Sequence, residues 1–170
     1  MGKTGTEIVN LDVEKLIEVL NQALSEEWLA YYQYWIGARM MEGPMRSEIE
    51  PELLLHATQE LNHAVLVVSR IIQLGGTPVL NPSDWPKFAG CAYEAPVDPY
   101  VEVVLNQNLN GERCAIKRYQ GIADLTNGKD HATHQMATTI LTEEQEHEQD
   151  IEEWLTDITR MKEEFKKLRM

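Results

Sequence analysis

Glu144-Gln145-Glu146-His147 is echoed 84 residues earlier by Glu60-Leu61-Asn62-His63. On an α-helix, residues three apart share a face about one turn from each other, so the Glu and His of each stretch can reach one cation together. One Glu-x-x-His is a weak signal, because both residues are common on helix surfaces. Two of them, in a chain with room for four long helices, fit a known arrangement. In it, two such motifs and one Glu from each of two further helices hold a pair of iron or manganese ions inside a four-helix bundle. The further glutamates have candidates. Glu27, rather than its neighbour Glu26, keeps step with Leu20, Leu24, Tyr31 and Tyr34. Glu112 keeps step with Leu105, Leu109, Ala115, Ile116 and Tyr119. On the last helix Glu143, Glu144, Glu146 and Glu148 compete; Glu144 is the one three before His147 and in phase with Ile140 and Ile151.

Apolar residues at three- and four-residue steps predict the helices that carry these groups. Leu16, Leu20, Ala23, Leu24, Trp28, Tyr31, Tyr34, Trp35 and Ala38 place a first helix over about Leu11 to Met41, capped by Asn10 or Asp12 and ended by Gly43-Pro44. A second is expected from about Glu48 to Leu74, with Ser47 as N-cap, Pro51 in its first turn and Gly75-Gly76 as the stop. Pro78, Pro82, Pro86 and Pro96, with Gly90, exclude a long helix from 76 to 97. A connection of that length suits a crossover running the length of a bundle. Asp98-Pro99 reads as the N-cap and first position of a third helix, 99–127, stopped by Asn127-Gly128. Asp130 caps a fourth, 131–168. No strand pattern occurs. The expectation is an all-α, up-down four-helix bundle, one domain over 1–170, with one long crossover between its second and third helices. The echo between the two Glu-x-x-His helices suggests that the two hairpins are pseudo-repeats.

Composition narrows the function. A net charge of −13 weighs against coating nucleic acid, which needs cations opposite phosphates, and suits a surface that gathers cations. The basic segment Lys162 to Arg169 sits where it complements a helix C-terminus. No apolar run approaches the ~18 residues that span a membrane. Met1 to Asn10 lacks a secretory h-region, and its formal N-myristoylation pattern (Met1-Gly2 with Thr6) reads as an initiator Met and a flexible tail. Two cysteines without a signal peptide point to a reducing cytoplasm. Cys114 follows Glu112 by two residues, about 200° round the helix, so it faces away from any metal that Glu112 faces. Cys91 lies in the crossover, outside the bundle. On the residues alone two readings stay open, a pair of small buried hydrophobes or a pair that meets.

Four carboxylates and two imidazoles aimed into one apolar core are costly without counter-charge, and two divalent cations would neutralise four glutamates. Oxygen and imidazole donors without thiolate suit iron or manganese better than a closed structural zinc site. His131 and His134, though three apart, sit at a helix start without an inward carboxylate, and His56 has no assigned role. Trp28, Trp85 and Trp154 read as packing residues.

These motifs resemble bacterioferritin. Glu27-Trp28-Leu29-Ala30, continuing to Gln33-Tyr34-Trp35, is similar to its first-helix pattern of a ligand Glu followed by Gln-Tyr-aromatic. The stretches at Glu60 and Glu144 resemble its second and fourth ligand motifs, and Gly111-Glu112-Arg113-Cys114-Ala115-Ile116 resembles the third less closely. The resemblance runs from about Leu11 to Leu168. It implies a ferritin-like bundle whose ferroxidase centre holds two iron ions per subunit, with manganese or zinc as substitutes, on Glu27, Glu60, His63, Glu112, Glu144 and His147. Tyr34 would stand beside the metals as a hydrogen-bonding or redox neighbour. Leu61 occupies the position of the haem-ligating Met, so no haem is expected. The sequence stops with the fourth helix, without the fifth that builds the larger cage. Both departures, with the cysteines, resemble the Dps-like thioferritins, which join a bacterioferritin-type site to two nearby cysteines and a twelve-subunit shell. That likeness implies a redox-active pair of Cys91 and Cys114 near the centre. It also implies a cytoplasmic homo-oligomer that oxidises Fe(II) with hydrogen peroxide or O2 and stores ferric mineral against oxidative stress. The alternatives are a di-metal peroxidase or manganese catalase, a Dps-like DNA-protecting protein that the acidic balance argues against, and a small-molecule oxygenase on the same fold.

Overall fold

The computed structural model describes residues 3–168. Four long helices carry it: α2 (Val13–Met40), α3 (Arg46–Gln73), α5 (Val101–Thr126) and α6 (His131–Lys167). A short α1, Lys3–Glu7, precedes them. In the crossover a 3-10 turn at Pro82–Asp84 leads into the single-turn α4, Trp85–Phe88. Among the described residues there is no strand, and no helix is long and apolar enough to cross a membrane.

Two tie points define the topology. Glu42, just past α2, pairs its backbone with the start of α5: its N–H donates to the Pro99 carbonyl at 2.8 Å and its carbonyl accepts from Val101 N–H at 2.8 Å. Arg70, near the end of α3, reaches both oxygens of Asp130 at 2.9 and 2.8 Å and the Thr133 hydroxyl at 2.7 Å, all at the start of α6. So α2 is antiparallel to α5 and α3 to α6, while each hairpin is antiparallel within itself. The crossover therefore carries the chain back along the bundle, leaving α3 and α5 parallel. The expected all-α bundle with one long crossover is what the chain forms.

Three details differ from the sequence reading, and one more settles an alternative it left open between Asn10 and Asp12. Residues before α2 form α1 rather than a loose tail, and Asn10 N–H bonds the Lys129 carbonyl at 3.0 Å; Met1 and Gly2 lie outside the described residues. Asp12, not Asn10, caps α2, accepting from Lys15 N–H at 3.1 Å. α3 begins at Arg46 with Met45 as cap, and the Ser47 hydroxyl goes to the Glu48 side chain instead. α5 starts at Val101, because the pairing with Glu42 holds residues 99 and 100 out of helical conformation, and Asp98 accepts from Tyr100 N–H without capping the helix. The proposed capping of α6 by Asp130 is present, with Thr133 N–H donating at 3.2 Å.

The core is two apolar clusters stacked along the bundle. One gathers Leu16, Leu20, Leu24, Val67, Ile71, Ile122 and Ile140; the other gathers Ala38, Met41, Ile49, Leu53, Val101, Leu105, Ile151 and Ile158. Trp35, counted with the inner face from its spacing, is instead 39% exposed and packs on Tyr32, since one residue beyond Tyr34 turns the side chain by about 100°. Between the two clusters lies a layer that is not apolar.

Candidate metal centre

Midway along the bundle, α2 supplies Glu27, α3 supplies Glu60 and His63, α5 supplies Glu112, and α6 supplies Glu144 and His147. None is more than 2% exposed. Glu27, Glu60, His63 and Glu144 each turn one donor atom to a common point, and so do Glu60, Glu112, Glu144 and His147; in each group these atoms lie within 4.8 Å of one another. Glu60 and Glu144 belong to both groups. Their oxygens divide between them: Glu60 Oε2 and Glu144 Oε1 lie 3.5 and 3.2 Å from His63 Nδ1, while Glu60 Oε1 and Glu144 Oε2 lie 3.2 and 3.3 Å from His147 Nδ1. Glu27 Oε2 completes the first group at 3.5 Å from His63 Nδ1, and Glu112 Oε2 the second at 3.6 Å from His147 Nδ1. This is a pair of adjoining three-carboxylate, one-imidazole pockets bridged by two shared carboxylates.

The outward atoms are all engaged. The Tyr119 hydroxyl donates to Glu27 Oε1 and the Tyr34 hydroxyl to Glu112 Oε1. His63 Nε2 faces Glu143 Oε2 at 2.8 Å, and His147 Nε2 faces Gln59 Oε1 at 3.1 Å. Both partners are acceptors, so each Nε2 carries the ring proton of a neutral imidazole and leaves Nδ1 as the lone-pair donor. The inward atoms are the reverse. Glu27 Oε2, Glu60 Oε1, His63 Nδ1, Glu112 Oε2, both Glu144 oxygens and His147 Nδ1 are buried without a hydrogen-bond partner. Buried polar groups are rarely left so, and seven of them turned to one space fit two cations that would balance four carboxylate charges. The donor set is hard, oxygen-rich and free of thiolate, which suits iron or manganese.

Without cations, protons take their part. Burial pushes the Glu27 and Glu112 carboxyls well above the usual range, and neighbouring carboxylates add to it. Burial also opposes charge on His147, yet the carboxylates of Glu112, Glu144 and Glu60 facing its Nδ1 outweigh it and push the ring up to about 12. His63 is raised in the same way by Glu144, Glu27 and Glu60. Glu60 moves opposite: burial raises it, but the facing rings of His147 and His63 hold it well below the carboxylate range. Burial and the facing carboxylates lift Tyr34 and Tyr119, so both stay protonated donors.

The sequence reading singled out Tyr34 but took Tyr119 only as an apolar-phase marker. The clue was present: Tyr119 follows Glu112 by seven residues, as Tyr34 follows Glu27. Glu143 appeared only as a rival to Glu144, and Gln59 not at all. His56 is buried, packs on the His147 ring at 4.1 Å and meets Asp150 at 3.3 Å; burial, then His147, lowers it to about 3 and keeps it neutral. His134 Nδ1 bonds the Ala123 carbonyl at 2.9 Å, tying the α5 end to α6.

Cys91 and Cys114 form a disulfide, with Cα atoms 6.1 Å apart. It fixes the crossover to α5, and α2 grips the same strap: Glu26 Oε1 accepts from Gly90 N–H at 2.7 Å and Gln33 Oε1 from Glu94 N–H at 2.7 Å. Arg118 holds Glu26 through both carboxylate oxygens at 2.8 Å. Beneath this strap a narrow cavity of about 30 Å³ runs from Cys91 and Tyr93, past Leu29 and Ala30, to Glu27, Glu60 and Glu112. That is space for one or two water-sized molecules.

The architecture and donor set have known counterparts. The family description of the ferritin-like domain matches residues 17–161. This chain is a ferritin-like protein. Among its relatives, a DNA protection during starvation protein of Pyrococcus furiosus is 39% identical over 155 residues, spanning 88% of this chain and 82% of that one. Bacterioferritin of Rhodobacter capsulatus is 30% identical over 134 residues, 78% of each chain. The solved structure of a bacterioferritin-related protein from Bacteroides fragilis, described as a dodecameric thioferritin, superposes with a TM-score of 0.95 at 53% identity, covering 96% of this chain and 99% of that one. In this ferritin-like chain the crossover is thus both the connection that the bundle requires and the outer wall of its cavity.

Proposed function

We propose that this protein oxidises Fe(II) at the paired pockets and stores the product as ferric mineral inside a homo-oligomeric shell. The observation that carries the reading is the division of Glu60 and Glu144 oxygens between His63 and His147, which prepares two adjoining cation sites of one donor type. Two iron ions, entering as substrate, supply the electrons for hydrogen peroxide or O2. The chain's own part is to hold each ion with Glu27 and His63 or with Glu112 and His147, and to bridge them through Glu60 and Glu144. Tyr119 and Tyr34 orient the terminal carboxylates; Glu143 and Gln59 orient the imidazoles. The cavity under the Cys91–Cys114 strap admits an oxidant of two heavy atoms and excludes larger molecules, which favours peroxide or O2 over an oxygenase substrate. The 53% identity to a dodecameric thioferritin supports a 12-subunit shell and a redox-active role for the disulfide.

The test is iron retained per chain after anaerobic Fe(II) loading, peroxide addition and desalting. Many more than the two ions of the paired pockets supports storage. Two or fewer, with peroxide still consumed, replaces storage with a di-metal peroxidase or manganese catalase. DNA protection, suggested by the Pyrococcus furiosus relative's name, is opposed by the net charge of −13; a gel shift at low salt checks it.

A further inference from the structure

Most polar side chains around the cavity beneath the strap are already spent. Glu26 is held by Gly90 N–H and Arg118. Gln33 accepts from Glu94 N–H and donates to the Gln107 carbonyl at 3.0 Å. The Tyr34 hydroxyl goes to Glu112, and the inward oxygens of Glu27, Glu60 and Glu112 face the imidazoles. Asn108 differs. It lines the same cavity from α5, one turn before Glu112, and is only 1% exposed. Its Nδ2 donates at 2.9 Å to the Val104 carbonyl, which can only accept, so the carboxamide has one orientation. Its Oδ1 is buried without a hydrogen-bond partner. Apart from the metal-facing donors and His56 Nδ1, it is the one such side-chain atom among the described residues. Buried acceptors are rarely left unmet. A guest that meets this one has to bring a hydrogen: hydrogen peroxide does, and O2 does not. The space of about 30 Å³ takes a molecule of two oxygen atoms.

We infer that Asn108 sets the choice of oxidant, its Oδ1 accepting a hydrogen bond from hydrogen peroxide held in the cavity beside Glu27, Glu60 and Glu112. The inference rests on the iron-oxidation reading above. The reaction balances with the reagents named: two Fe(II) give one electron each, the O–O bond of the peroxide breaks, and two protons from solvent complete two waters. O2 fits the same space but leaves Asn108 Oδ1 unmet, and it is held more weakly for that reason. One such hydrogen bond corresponds to about tenfold in preference.

Asn108→Leu removes the acceptor at nearly constant volume, and the Val104 carbonyl keeps its main-chain partner within the helix. Anaerobic Co(II) titration first checks that the variant keeps its paired pockets. Fe(II) oxidation is then followed by stopped-flow absorbance over a range of concentrations of peroxide without O2, and of O2 without peroxide. The peroxide-to-O2 rate ratio should fall about tenfold in N108L, through a higher KM for peroxide rather than a lower kcat. A ratio that does not move, or a native protein faster with O2 at equal concentration, overturns the inference and leaves iron oxidation standing. Native protein that oxidises Fe(II) with neither oxidant overturns the iron-oxidation reading itself. Should N108L not bind Co(II), the native protein decides. Its crystals, loaded with redox-inert Zn(II), are soaked in hydrogen peroxide. Two-oxygen density within hydrogen-bond distance of Asn108 Oδ1 supports the inference, and density there unchanged by the soak overturns it.

Discussion

Tyr34 and Tyr119 cross the bundle in opposite directions, each donating its hydroxyl to the glutamate that lies seven residues before the other on the facing helix. The pair makes the two terminal carboxylates equivalent, and a test follows. Y34F and Y119F should each weaken cation binding by about tenfold, to a similar extent, in competition titrations with Co(II). If Y34F instead slows iron oxidation with binding intact, and Y119F is silent, Tyr34 is a redox participant rather than an orienting donor.

Removing cations should cost stability. Six ionisable groups in one buried layer are poorly compensated in the metal-free protein. Each site filled at a hundredfold excess over its Kd adds about 2.7 kcal/mol. For a chain of this size every kcal/mol raises Tm by roughly 2–4 °C. Glu112→Gln should invert the pattern, with a higher Tm than the native protein after chelation and a smaller rise on adding Co(II). Calorimetry of four samples, native and variant with and without metal, decides it.

The metal-free protein should lose stability as pH rises. His63 and His147 titrate above their unfolded value near 6.5, so their contribution is whole below that value and is lost progressively as pH climbs toward about 12 for His147. Glu27 and Glu112, also raised, hold protons that the unfolded chain has released above about 4.5, which gives the same sign. Glu60 and Asp130, held low, and His56, lowered to about 3, work oppositely, but their shares disappear as pH falls toward their folded values and are nearly whole above pH 6. Denaturation midpoints of chelated protein should therefore fall between pH 6 and 9. Metal-loaded protein should show the smaller slope, and its binding should release protons, visible as a dependence of titration heat on buffer ionisation.

Reducing the disulfide should loosen the strap before the bundle. The bridge closes a span of 23 residues, which constrains the unfolded chain by about 3 kcal/mol. Cys114→Ser should lower Tm accordingly, and hydrogen exchange should quicken first at the amides of Gly90 and Glu94, whose acceptors Glu26 and Gln33 lie on α2. Protection at Ile71 or Ile140, deep in one apolar cluster, should not change ahead of them. Exchange that rises everywhere at once would assign the bridge to global stability alone.

What the sequence revealed depended on the range of the interaction. The Glu-x-x-His pairs, the phase of Glu27 and Glu112, the Asp130 cap and the proline-rich crossover are local patterns, and helical periodicity alone places them. The start of α5 was misjudged because Asp98-Pro99 is a good local cap that loses to a distant strand-like pairing with Glu42. Tyr119, Glu143 and Gln59 went unassigned because their tasks depend on how high one helix stands against another, which no single helix encodes. The meeting of Cys91 with Cys114 depends on the course of the crossover, and the residues alone left it open.

The layer between the two apolar clusters also answers a question of alignment. Long helices with smooth apolar faces pack almost as well after sliding by one turn, about 5.4 Å. Here such a slip would drive Glu144 in among side chains like Ile140 or Ile151, out of reach of His63 and His147, and strand its charge. The carboxylates thus act as a depth gauge for all four helices, rejecting every vertical offset but one before any cation arrives.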